Sequence, residues 1–174
     1  QHVLGSYFAE ACTVQIRGSA ATAGVPYGAL GFLVSELEDE VLGHPLLVLQ
    51  SVARLLDAHA GGRPIVLLVD HAEELDPMSA AVVTQLARSG AAKIVAGVSE
   101  AGGAADQLVR MWSEGRLMRL DVDNFDLEES AGFIGFLLGG RVSRAAAGEL
   151  WSMTGGNPLA LRLLAIEQRN AGTL

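Results

Sequence analysis

Half of the 174 residues are hydrophobic, enough to bury a substantial core in one domain, or in one domain with a small appendage. A formal charge of −8, a pI near 4.9 and the lack of any lysine or arginine run exclude a nucleic-acid surface, because neutralising phosphates needs a basic stripe. Cys12 is the only cysteine, which excludes an internal disulfide and a cysteine-rich zinc site; no apolar run reaches the ~18 residues of a membrane span and no signal pattern opens the chain, so a soluble cytoplasmic protein is expected.

Residues 1–11 read as the tail of a helix with Val3, Leu4, Tyr7 and Phe8 on its apolar side. Thr13–Arg17 alternates and is rich in β-formers, which predicts a strand, followed by a small-residue loop from Gly18 to Pro26 and a short helix over Tyr27–Leu37. The acids Glu36, Glu38, Asp39 and Glu40 read as a solvated face. Pro45 opens a helix to about Ala60, with Leu46, Leu49, Val52, Ala53 and Leu56 inward and Gly61-Gly62 as its stop.

Ile65–Val69 is an unbroken apolar run, the pattern of a parallel strand covered by helices on both faces. It ends on Asp70, at the carboxyl edge where open α/β sheets bind ligands. Asp76 suits an N-cap and Pro77 the first position of a helix that presents Val82, Val83, Leu86 and Ala87 and closes at Gly90. Four or more aliphatic residues and then an acid is the pattern of a Walker B strand, whose aspartate holds magnesium beside nucleotide phosphates; Asp70 as a plain turn cap is the alternative.

Lys93–Val98 reads as another buried strand, Glu100–Gly103 as a loop, the stretch to about Glu114 as a helix and Leu117–Val122 as a further strand. From Asn124 only helices follow. Asp126 with Glu129 makes a capping box for a helix to Leu138, Ser143 caps the next, and Asn157-Pro158 starts the last, with Leu159, Leu163 and Ile166 inward. The expected class is α/β: residues 1–123 a parallel sheet with flanking helices, residues 124–174 a helical subdomain. The Asp70 and Lys93–Val98 strands should be neighbours, with Leu117–Val122 a fourth strand.

The motifs Val69-Asp70-His71-Ala72-Glu73-Glu74-Leu75-Asp76-Pro77 and Gly155-Gly156-Asn157-Pro158-Leu159-Ala160-Leu161-Arg162 resemble the ATPase domain of large ATP-binding LuxR-type transcriptional regulators, in the STAND branch of the AAA-related P-loop NTPases. The resemblance runs from about Thr13 to the end and includes Val25–Leu30 and Trp112–Leu120. It implies a P-loop NTPase-like sheet with a helical lid, Asp70 as the magnesium ligand, and Gly156, Asn157 and Pro158 against the adenine of ATP or ADP. The bland alternative for those three residues is a helix stop followed by a helix start.

Departures from the family pattern matter. His71 replaces the second Walker B acid, Glu73 replaces the family's histidine, Glu100 stands where a sensor arginine is usual, and there is no Gly-x-x-x-x-Gly-Lys-Ser/Thr. The family's phosphate loop would precede Gln1, so a fragment of a longer regulator is expected. Its expected function is a regulatory nucleotide-switch module partnered by other domains of the same regulator, with self-association open. An active ATP hydrolase and a nucleotide-free interaction scaffold are the alternatives.

Overall fold

The computed structural model describes residues 10–35, 37–99 and 105–172. The helix tail expected before residue 10, the acid Glu36, the loop at Glu100–Gly103 and the sensor position Glu100 lie outside the described residues. The chain divides into two compact units, residues 1–119 and 120–174.

The first unit is α/β. Its sheet has three parallel strands in the order β1 (Cys12–Arg17), β2 (Ile65–Asp70), β3 (Lys93–Ala96). The Asp70 strand and the Lys93 strand are neighbours, and the register sets Arg17 beside Asp70 and Ala96 beside Val69. Between β1 and β2 lie a 3₁₀ turn (Gly28–Leu30), α1 (Gly31–Val34), α2 (Asp39–Leu42) and α3 (Pro45–Ala60); between β2 and β3 lie a 3₁₀ turn (Ala72–Glu74) and α4 (Pro77–Arg88); α5 (Ala105–Ser113) follows β3. The helix expected over Tyr27–Leu37 is shorter and of two kinds, a 3₁₀ turn and then one α-helical turn, and Tyr27 lies outside it because its backbone is left-handed (φ 57°). Glu38, Asp39 and Glu40 are exposed, as a solvated face should be.

Both crossovers step the same way across the sheet, so right-handed connections put α3 and α4 on one face. The core agrees: Ile16, Leu67 and Val69 join Val48, Val52 and Leu56 of α3 and Val82, Val83 and Leu86 of α4. The crossover helices thus share one face, while on the other face of the sheet Val66 of β2 is also buried, at 2% exposure. Residues of the opposite parity in β1, Thr13, Gln15 and Arg17, are exposed. On α3 the inward side includes Val48, while Leu46 is 70% exposed, against the expectation for Leu46.

Leu117–Val122 is not a strand. The segment has no regular secondary structure and joins no sheet, and Met118, Leu120 and Val122 are 95%, 84% and 88% exposed. Alternation makes a segment fit to be a strand, but only a neighbour that pairs its backbone makes it one. β3 likewise ends at Ala96, two residues short of the expected Val98.

The second unit comprises α6 (Leu127–Leu138), α7 (Arg144–Thr154) and α8 (Pro158–Ala171), each packed on the other two around Ile134, Ala147, Leu150, Leu161 and Ala165. The capping box holds: Asp126 accepts from Glu129 N (2.8 Å) and Glu129 accepts from Asp126 N (3.0 Å). Ser143 caps α7 through Ala146 N. On α8 the inward side is Leu161 and Ala165, while Leu159 and Leu163 face solvent at 64% and 62% exposure, the reverse of the expectation for those two leucines. No described helix is long and apolar enough to cross a membrane.

A candidate site at the carboxyl edge of the sheet

Asp70, the last residue of β2, stands at the carboxyl edge with its side chain 67% exposed. Arg17, the last residue of β1, faces it in register, Nε to Oδ2 at 3.9 Å. The chain then turns sharply at His71, which is left-handed (φ 49°, ψ 54°) and donates its N–H back to Asp70 Oδ1 at 3.1 Å. Such a backbone costs about 1 kcal/mol or more in a non-glycine residue and needs surrounding contacts to hold it. Three backbone bonds do so: Gly97 N to Val69 O (2.8 Å), Ala72 N to Gly97 O (3.0 Å) and Gly18 N to Asp70 O (2.9 Å). Gly18 has no room for a side chain, since a Cβ there would overlap the His71 carbonyl oxygen.

The His71 ring lies between two carboxylates, with Nε2 4.0 Å from Asp70 Oδ1 and Nδ1 3.7 Å from Glu73 Oε1. Burial pushes the Glu73 carboxyl up, but its own backbone N–H, the donors of Ser99 and His71 outweigh that and hold it below the usual range. The edge thus gathers one guanidinium, two carboxylates and an imidazole. Among the described residues no group of three or more His, Cys, Asp or Glu is arranged to hold a metal ion. Asp70 fits a magnesium site as one ligand only, which suffices where phosphate oxygens and water complete the octahedron. The phosphate side is thinner: Lys93, the only lysine, opens β3 at the end of the sheet opposite Asp70, and Arg17 is the cation paired with Asp70.

A further carboxylate, this one buried, secures the edge. Asp76 is 1% exposed and accepts three backbone N–H bonds, from Ser79 (2.9 Å) as the cap of α4 and from Tyr27 (2.9 Å) and Ala29 (3.2 Å) in the turn that follows β1. Burial raises its carboxyl, and the donors of Ser79, Ala29 and Tyr27 outweigh burial and hold it below the usual range. Burial, and then the Asp76 charge, push the Tyr27 phenol up. One side chain therefore fastens the segment leaving β1 to the segment leaving β2, and the local cap pattern discloses only half of that role.

The other predicted site residues belong to the helical unit, where each has a structural task. Gly156 (φ 76°) accepts Phe125 N at 2.9 Å, and a Cβ there would overlap the Phe125 carbonyl oxygen. Asn157 Oδ1 caps α8 by accepting from Leu159 N (3.1 Å) and Ala160 N (3.0 Å), and Pro158 occupies the first helical position. Trp151 Nε1 donates to Phe125 O at 3.0 Å, and the Phe125 and Phe133 rings meet at 5.3 Å. An open concavity of about 550 Å³ in this unit is lined by Asp126, Leu127, Glu128, Ala131, Val142 and Arg144, and includes none of the three motif residues.

Sequence reasoning missed Arg17, Phe125 and Trp151. A basic residue closing the first strand was the available signal for Arg17; nothing local marks Phe125 as the anchor of Gly156. No family model, curated protein or solved structure matches the chain, so a functional reading rests on these residues.

Proposed function

We propose that this chain is a regulatory nucleotide-switch module, of the P-loop NTPase-like kind found in LuxR-type bacterial transcriptional regulators, rather than a working hydrolase. One observation carries the reading: a parallel strand ends on an exposed aspartate at the carboxyl edge, with the arginine of the adjacent strand aligned beside it. Bound magnesium nucleotide would supply the charge that distinguishes two states of the module. Asp70 would hold the ion through water, Arg17 would face phosphate oxygens, and the Asp76 fastening would keep both strand ends in place. Nucleotide binding then biases a conformational equilibrium only by its difference in affinity for the two states.

Hydrolysis needs phosphate positioning and charge neutralisation. Here His71 takes the place of a second fixed negative charge. A second reading, a nucleotide-free scaffold, is favoured by the full structural employment of Gly156, Asn157 and Pro158 inside the helical unit.

Fluorescent ATP and ADP titrations of the 174-residue chain with magnesium decide between them. The expected result is saturable binding, weakened about 10-fold in Asp70→Ala through loss of one charge-assisted contact, with no phosphate release. Absent binding would establish the scaffold reading, and phosphate release abolished by Asp70→Ala would establish a hydrolase.

A further inference from the structure

The two ring nitrogens of His71 keep different company. Nδ1 is 3.7 Å from Glu73 Oε1, while Nε2 is 4.0 Å from Asp70 Oδ1, an oxygen that already accepts the His71 backbone N–H at 3.1 Å. The other Asp70 oxygen, Oδ2, faces Arg17 at 3.9 Å. At these lengths neither side of the ring is closed by a direct hydrogen bond to a carboxylate. A carboxylate beside one imidazole nitrogen is the arrangement that orients a metal-binding ring: the hydrogen sits on Nδ1, towards Glu73, and the Nε2 lone pair is left for an ion.

The surroundings hold this pose. Glu73 is fixed by the donors of Ser99, with 17% of its side chain exposed, and the left-handed His71 backbone is pinned by the bonds of Gly18, Ala72 and Gly97. The Nε2 side is the open one, since the Asp70 side chain is 67% exposed. An ion ~2.1 Å from Nε2 places its neighbouring ligands about 3 Å from that nitrogen. Asp70 Oδ1, at 4.0 Å from Nε2, is then within hydrogen-bond reach of a water carried by the ion.

We propose that His71 Nε2 is a direct ligand of the nucleotide's divalent ion, that Glu73 positions the ring, and that this edge therefore takes a first-row transition ion in preference to magnesium. Imidazole nitrogen suits transition ions, whereas magnesium favours oxygen and keeps its waters. Asp70 retains its hold on the ion through water, and phosphate oxygens complete the shell, so a group of three protein ligands is not required. Histidine in place of a second acid changes the ion and keeps the site. The inference rests on the nucleotide-switch reading and names the ion of that same site.

ATP titrations of the 174-residue chain in Mn²⁺ and in Mg²⁺, with pulsed electron paramagnetic resonance of the Mn²⁺ complex, test it. The expected result is ATP binding about 10-fold tighter in Mn²⁺, with a nitrogen modulation from a ligating imidazole. His71→Asn keeps the left-handed turn, which asparagine tolerates, so its circular dichroism should match wild type; it should abolish the imidazole modulation and the preference for Mn²⁺. Glu73→Gln should keep the modulation and weaken binding in Mn²⁺ about 10-fold, with little change in Mg²⁺. ATP binding without an imidazole signal, or a Mn²⁺ preference that survives His71→Asn, would overturn the inference and leave the nucleotide reading standing. Binding in neither ion would overturn both.

Discussion

Replacing Asp76 by alanine should cost the sheet unit about 3 to 5 kcal/mol, the range for removing one partner from a buried charged network. The variant loses the cap on Ser79 N and leaves the N–H groups of Tyr27 and Ala29 buried without an acceptor. Asp76→Asn should recover only part, because the two carboxylate oxygens serve different donors, Oδ1 for Tyr27 and Ser79 and Oδ2 for Ala29, and one of them would become an amide nitrogen. By contrast Asp126→Ala, at an exposed cap, should cost about 1 kcal/mol.

The pH dependence follows from the lowered Asp76 carboxyl. A carboxylate whose folded pKa lies below its unfolded value binds its proton more readily in the unfolded chain, so its stabilisation is complete above the unfolded pKa, about 4, and is lost as pH falls through the folded one. Urea melts of wild type and Asp76→Ala should therefore differ by a constant amount at neutral pH and converge in acid. A gap that widens on acidification would contradict the charged assignment.

The second large effect is expected at Gly156. Gly156→Ala combines a left-handed backbone with overlap of the Phe125 carbonyl, and loses the Phe125 N to Gly156 O bond if the segment retreats. Together these should cost the helical unit about 2 to 4 kcal/mol. Gly155 is the built-in comparison. It is also left-handed (φ 58°), but nothing lies within 4 Å of an added Cβ, so Gly155→Ala should cost about 1 kcal/mol. Equal losses in thermal melts of the two variants would show that close approach to Phe125 is not what Gly156 provides.

These two residues also mark where the sequence was readable. Features set by neighbours within a few residues were legible: the apolar run into Asp70, Pro45 and Pro77 opening helices, the Asp126/Glu129 box and the Asn157-Pro158 start. Each depends on backbone donors close by in the chain. What escaped depends on distant partners. Asp76 reads as a cap because Ser79 is local, while Tyr27 and Ala29 reach it only through the fold. Arg17 gains its place from register with Asp70.

Periodicity failed where it was ambiguous or insufficient. Leucines at 159, 161, 163 and 164 put apolar side chains around most of α8, so spacing could not choose the inward side, and packing on α6 and α7 selected Leu161 and Ala165. Leu117–Val122 has the alternation of a strand without a described neighbour. In the candidate site, the aspartate that ends β2 was foreseeable. The straddling of His71 between Asp70 and Glu73 was not, because it follows from a left-handed turn that no glycine announces.

The placement of the two tryptophans gives each unit its own optical reporter. Trp112 sits in the sheet unit with the Arg119 guanidinium 5.4 Å over its ring, and Trp151 sits in the helical unit tethered to Phe125 O. The units also differ in connectivity: the sheet must align Cys12 with Ile65 across a long crossover, whereas the three helices follow one another directly. Closing distant pairings is slow and joining consecutive helices is fast. Fluorescence from single-tryptophan chains should therefore follow two separate clocks during refolding, and a single midpoint or rate measured on the whole chain would average two folding events of different origin.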